Sequence, residues 1–206
     1  MEQLSITDEE IASALAVLPT PFQVDLKTAT PKQTLSLYAK IYLGRLLEHY
    51  FGVDLALKHF RKTEGGKPYL EHHAIEFNLS HSRNWLGIAI APHSPVGIDV
   101  QVHKKFNPKI TERVFCSEER AASEKATDDS KFFFDIWCKK EAAVKTTGDG
   151  IKVGLKTFST IDNCAEIKNS SVHLQSIELL PNLSAAIGST APIAQIDIQK
   201  IKPHEI

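Results

Sequence analysis

Two stretches of this chain carry side chains whose types and spacing suit chemistry on phosphates. They are Phe77 to Gln101, FNLSHSRNWLGIAIAPHSPVGIDVQ, and Trp137 to Ile151, WCKKEAAVKTTGDGI. Asp99 sits in the alternation Gly97, Ile98, Asp99, Val100, Gln101, and a strand's period of two sends Asp99 and Gln101 to one face. Two oxygen-bearing side chains on one face suit a hard divalent cation such as magnesium, although a strand with its polar face in water reads the same way. Glu141 and Lys145 stand four apart, on one face of a helix, with Trp137 one turn earlier on the same row. A carboxylate flanked by a ring and a cation is a candidate metal ligand or general base. The same pair also fits a solvated helix face.

Ser80 and His81 close a strand, and Gly65, Gly66, Lys67 and Pro68 form a turn with one cation. A lysine on such a loop can meet a phosphate as a point charge, and a hydroxyl or imidazolium can donate to phosphate oxygens. A serine nucleophile with its own histidine fits poorly, because neighbours on an extended segment point to opposite sides. Cys116, Cys138 and Cys164 are too widely spaced for a zinc site and odd in number, so reduced, packed thiols are expected.

The elements that must position these residues follow from punctuation and period. Thr7 with Glu10 reads as a capping box opening a helix over Asp8 to Val17, ended by Pro19 and Pro21. Thr30 before Pro31 starts a second helix, whose apolar residues recur at helical spacing until Gly52. Strands are predicted over Leu57–Phe60, Ile75–Leu79, Trp85–Ala91 and Val96–Val102. Helical segments follow near Pro108–Val114, Ser117–Ala126 and Ser130–Thr147, then strands over Lys156–Ile161, Val172–Leu180, Leu183–Gly188 and Ala194–Ile198. Helix followed by strands thus occurs twice, which predicts an α+β chain of two lobes, residues 1–94 and 95–206.

At 206 residues and 42% hydrophobic content the chain can bury a core in one or two such lobes. The 24 Lys and Arg against 25 Asp and Glu leave no overall cationic field for gripping nucleic acid. No apolar run approaches the ~20 residues of a membrane helix. The start, MEQLSITDEE, has neither the basic nor the apolar segment of a secretory signal, so the cytosol is the expected compartment.

Taken together and in order, GGKPYL, FNLSHS, VGIDVQ and WCKKEAAVKTTGDGI resemble the signature blocks of the 4′-phosphopantetheinyl transferases, in their larger, surfactin-type class. The resemblance implies a pseudo-twofold arrangement of two similar α+β lobes with coenzyme A and magnesium in the cleft between them, in a monomer. It implies transfer of the 4′-phosphopantetheine arm from coenzyme A to a serine of an apo acyl or peptidyl carrier protein, with neither nucleic acid nor membrane as partner. Block by block, Asp99 and Glu141 would bind magnesium, with Gln101 beside them, and Glu141 would take the serine proton. Lys145 would neutralise charge on the transferring phosphate. Lys67, Ser80 and His81 would hold coenzyme phosphates, His81 near the 3′-phosphate, and Arg45 matches a coenzyme-binding arginine less closely.

Many members carry an acid where this chain has Gln101, which supplies an oxygen without a charge. That departure leaves a coenzyme- or nucleotide-binding protein without turnover as the runner-up, with a hydrolase third. Lys104, Lys105, Lys109 and Arg113 form a basic stretch after the Asp99 strand, either a docking surface for an acidic carrier or an ordinary solvated loop.

Overall fold

The computed structural model describes residues 7–22, 24–25, 27–54, 56–63, 66–83, 85–150 and 153–200. Gly65, Asn84 and Ile151 of the motif segments lie outside the described residues. The chain divides into two compact units, Met1–His73 with Ile196–Ile206, and Ala74–Gln195.

In the first unit the Thr7–Glu10 capping box opens α1 (Asp8–Val17), as expected from the sequence. Thr30 and Gln33 form a second box ahead of α2 (Pro31–Phe51), which ends where Gly52 takes a left-handed φ of 63°. Arg45 of α2 pairs with Glu10 of α1 and lies over the Tyr42 ring. The expected strand over Leu57–Phe60 is mostly a 3-10 turn, Ala56–His59, after which β1 (Phe60–Lys62) pairs antiparallel with β2 (Pro68–Leu70).

The second unit begins with a hairpin of β3 (Ile75–Ser82) and β4 (Trp85–Pro92). Next comes β5 (Val96–Val102), then the short helices α3 (Thr111–Val114) and α4 (Ser117–Ser123) and the long α5 (Asp129–Thr147). The strands β6 (Cys164–Ile167), β7 (Ser170–Leu180) and β8 (Leu183–Ser189) complete an antiparallel sheet of order β5-β8-β7-β6. One face of that sheet packs under α5 through Cys138, Ala142, Ala143, Val172, Leu174 and Ala186. The other buries Val96, Ile98, Val100 and Val102 with Ala89 of β4. This is the α+β class that the sequence predicts. Among the described residues no helix is long and apolar enough to cross a membrane.

The boundary expected after residue 94 falls inside the second unit, and β3 supplies the reason. The backbone N–H groups of Ile98, Val100 and Val102 along one edge of β5 donate to Asn78 Oδ1, Ser80 Oγ and Ser82 Oγ at 3.1, 3.1 and 3.0 Å. Every second side chain of β3 thus satisfies every second N–H of β5, stitching the hairpin to the sheet.

Two expected strands are absent. Leu155–Thr157 forms a 3-10 turn after Gly154, whose φ is 74°, and the Leu155 and Phe158 carbonyls accept from a lysine on α5 rather than from a neighbouring strand. Ala194–Ile198 is irregular, and the chain beyond it is held in the first unit, where Tyr50 donates to Gln199.

Candidate active site

Asp99 lies mid-strand on β5, and its side chain faces α5 because Gly97, two residues earlier on the same face, lets the helix come close. A Cβ at Gly97 would stand 2.2 Å from the Ala142 carbonyl oxygen and 2.6 Å from the Thr146 nitrogen. Gly188, its cross-strand partner on β8, would likewise meet Thr146 Oγ1 at 2.7 Å. The two glycines form a trough in which the α5 backbone rests almost on the sheet.

That approach brings Lys145 to Asp99. Its ammonium donates to Asp99 Oδ1 at 2.7 Å and to the Ile98 carbonyl at 3.0 Å. Ser80 Oγ donates to the same Oδ1 at 2.9 Å while accepting from Val100 N–H. Oδ2 is different: it is buried, and among the described residues it has no hydrogen-bond partner, the neighbouring Cys138 thiol donating instead to the Ser184 carbonyl at 3.4 Å. An unpartnered carboxylate oxygen away from water is costly, and a cation is the natural way to satisfy it.

Glu141, one turn before Lys145, is half-buried beside this carboxylate. Burial and then the Asp99 charge raise its pKa above the usual carboxylate value, with Lys145 acting in the opposite direction. Two carboxylates crowded together, one with a free oxygen, form an electrostatic deficit of positive charge. Among the described residues no three His, Cys, Asp or Glu side chains are grouped to enclose a metal. Two carboxylates nevertheless match the way magnesium is commonly held, with waters and substrate phosphates completing its shell. The residues therefore fit that ion.

The structure brings some of the residues singled out in the sequence together and leaves others apart. Asp99, Glu141 and Lys145 come together, and Gln101 follows Asp99 on the same strand face, half-buried opposite Ser184. Ser80 is buried, and its hydroxyl donates to Asp99 and accepts from the Val100 N–H. His81, next on β3, is exposed. Arg45 and Lys67 belong to the first unit; the Arg45 charge is answered by Glu10, and Lys67 closes the β1–β2 turn, its N–H donating to Thr63 Oγ1 and its carbonyl accepting from the Thr63 N–H. Cys138 is buried against Asp99, and burial and that charge hold its thiol protonated, as expected of a packing residue.

A second polar chain was not foreseen. Ser184 Oγ donates to Asp135 Oδ1 at 2.5 Å and meets His103 Nε2 at 2.8 Å, while the His103 ring stacks on Phe134 at 5.0 Å. Phe106 stacks on Phe133 at 4.2 Å. These two stacks staple the start of the basic stretch to α5, beside an open pocket of about 460 Å³ lined by His103, Lys104, Lys105, Phe106 and Ser130; Lys104, Lys105, Lys109 and Arg113 are all exposed.

Residues 95–187 match the model of the 4′-phosphopantetheinyl transferase superfamily. This part of the chain is a 4′-phosphopantetheinyl transferase superfamily domain. The chain is similar to the 4′-phosphopantetheinyl transferase psf-1 of Bacillus pumilus, 31% identical over 60% of this chain and 54% of the relative. It is also similar to the transferase gsp of Aneurinibacillus migulanus, 37% identical over 48% and 42%. Similarity to the transferase Sfp of Bacillus subtilis is lower, at 24% identity, but extends over 83% of this chain and 80% of that one. The chain thus spans about half the length of the first two relatives. The superfamily domain contains Asp99, Gln101, Glu141 and Lys145, and Ser80 reaches into it from β3.

Proposed function

We propose that this protein is a holo-carrier-protein synthase of the surfactin-type class, transferring the 4′-phosphopantetheine group of coenzyme A to a serine of an apo acyl or peptidyl carrier protein. The observation that carries this reading is the paired and unpaired halves of the Asp99 carboxylate. Lys145 and Ser80 fix Oδ1, and among the described residues Oδ2 has no hydrogen-bond partner, within the stretch that matches this superfamily.

In the reaction the carrier serine oxygen attacks the phosphorus on the pantetheine side of the coenzyme pyrophosphate. The bond to the other phosphate breaks, releasing adenosine 3′,5′-bisphosphate, and the serine proton passes to Glu141. Glu141, half-buried beside Asp99, is the carboxylate of this site placed to take that proton. Asp99 and Glu141 are the residues that would hold magnesium, whose chemistry there is to neutralise charge on the pyrophosphate. Lys145 adds a cation fixed in place by Ile98 and Asp99, so charge developing on the phosphate meets an environment that needs little reorganisation. His81 and Lys67 keep the phosphate-contact roles that the resemblance implies, and the exposed basic stretch after β5 is the surface for an acidic carrier. The reading takes the protein as a cytosolic monomer.

Incubating the protein with coenzyme A, magnesium and a panel of apo carriers tests the proposal directly. Mass gain of one phosphopantetheinyl group on a carrier, matched by release of adenosine 3′,5′-bisphosphate, is the expected result. Tight coenzyme binding with no gain on any carrier would overturn it.

A further inference from the structure

Next to Glu141 in the helix, Lys140 has no solvent exposure at all, and neither has Glu119 of α4, with which it pairs at 2.9 Å. The cluster around them is completely satisfied. The other two ammonium protons go to the carbonyls of Leu155 at 2.7 Å and Phe158 at 2.5 Å, and the Phe158 ring lies 4.5 Å from the nitrogen. Glu119 Oε1 accepts from the Thr160 N–H and hydroxyl, both at 3.0 Å, and Oε2 accepts from Cys116 N–H at 3.0 Å. Three segments, α4, α5 and residues 155–160, therefore meet at one dry ion pair. A buried pair of this kind is a poor source of net stability compared with an apolar contact, but it tolerates only a narrow range of geometries.

We infer that the Glu119–Lys140 pair sets the rotation and axial position of α5, which makes Lys140 a positioning residue for Glu141 and Lys145. The inference rests on the proposed transfer reading for its activity readout. Consecutive residues of an α-helix point about 100° apart, so with Lys140 anchored toward α4 and the 155–160 segment, Glu141 is turned toward β5. A rotation of about 10° moves a group roughly 5–6 Å from the axis by about 1 Å. Misplacement on that scale costs on the order of 100-fold in rate where catalysis depends on position. The α5 residues packed on the sheet include Ala142 and Ala143, whose small side chains resist sliding and rotation less than a three-point polar anchor does.

The test is the double variant Lys140→Met with Glu119→Gln, which removes both charges without leaving either one buried alone. Each single variant should lose about 10 °C in Tm, and the double variant should regain most of that. Its kcat should nevertheless stay at least ~30-fold below wild type, with KM for coenzyme A within about threefold. A double variant that recovers both Tm and kcat to within threefold of wild type would show that the pair only holds the fold together, and the inference would be wrong. Should the double variant not fold, Lys140→Arg keeps the charge but lengthens the anchor; folded protein with low kcat is expected, and kcat within threefold of wild type refutes the positioning role. If wild type transfers nothing, the transfer reading fails by itself. The inference is then judged by a crystal structure of the folded variant, where the 2.7 Å contact between Lys145 and Asp99 should be lost; its retention overturns the inference.

Discussion

Replacing Gly97 with alanine adds one methyl group at the point where strand and helix are closest. The new Cβ would stand 2.2 Å from the Ala142 carbonyl oxygen, 2.6 Å from the Thr146 nitrogen and 2.7 Å from Thr146 Oγ1. Two of these three neighbours are backbone atoms, so no rotamer change relieves the clash. Ordinary contact begins near 3.4 Å, so α5 must withdraw by about 1.2 Å at Ala142, or β5 must bend by as much. Ala142 follows Glu141 directly, and Thr146 follows Lys145, so the displacement falls on the two side chains that face Asp99. Overpacking of this kind costs about 1–3 kcal/mol, which for a chain of this size lowers Tm by roughly 2–12 °C. A shift of about 1 Å at reacting groups should lower kcat by on the order of 100-fold. Differential scanning fluorimetry and a carrier mass-gain assay measure the two effects on one preparation. Unchanged Tm with kcat within threefold of wild type would refute the claim that helix-to-strand distance at Gly97 sets the site.

Glu141→Gln should reduce transfer by at least ~100-fold while raising the Tm of the ligand-free protein. Its folded-state pKa is raised, so its ionisation opposes folding above that pKa, and the Tm advantage of the variant should shrink as pH falls through the glutamate range; a lower Tm at neutral pH would contradict the assignment. His81→Ala should raise KM for coenzyme A more than it lowers kcat, and should matter much less with 3′-dephospho-coenzyme A. Equal losses with both substrates would remove His81 from the 3′-phosphate. Reversing two charges of the stapled basic stretch, Lys104→Glu with Lys105→Glu, should slow carrier association at low salt and converge on wild type at high salt, and salt-independent kinetics identical to wild type would make that surface an ordinary loop. Gln101→Glu adds a charge on the Asp99 face and should lower the magnesium concentration for half-maximal transfer; a titration superimposed on wild type would place Gln101 away from the ion.

What the sequence made legible was what has a short period or a local signal. The strand alternation put Asp99 and Gln101 on one face, helical spacing put Glu141 and Lys145 on another, and Gly148 ended α5 in the left-handed conformation it favours. The hidden parts are those whose partners lie far apart in the chain. Ser80 shows the limit well: a serine after a strand reads as an open donor, yet its hydroxyl is engaged 19 residues on, by Asp99. Lys140 sits inside the same motif as Glu141, and nothing local announces that Glu119, 21 positions earlier, will meet it in the interior. The one local hint was Glu119 itself, three residues after Cys116 at a helix start, the spacing of a capping box; its second oxygen was free to serve Thr160. The absent strand over 156–161 has the same origin, since the Phe158 carbonyl, and that of Leu155 just before the segment, are taken by Lys140. A single buried lysine therefore accounts both for a misread strand and for the fixed attitude of the helix that carries Glu141 and Lys145. The position of the site depends on long-range polar contacts as much as on the motif that reveals it.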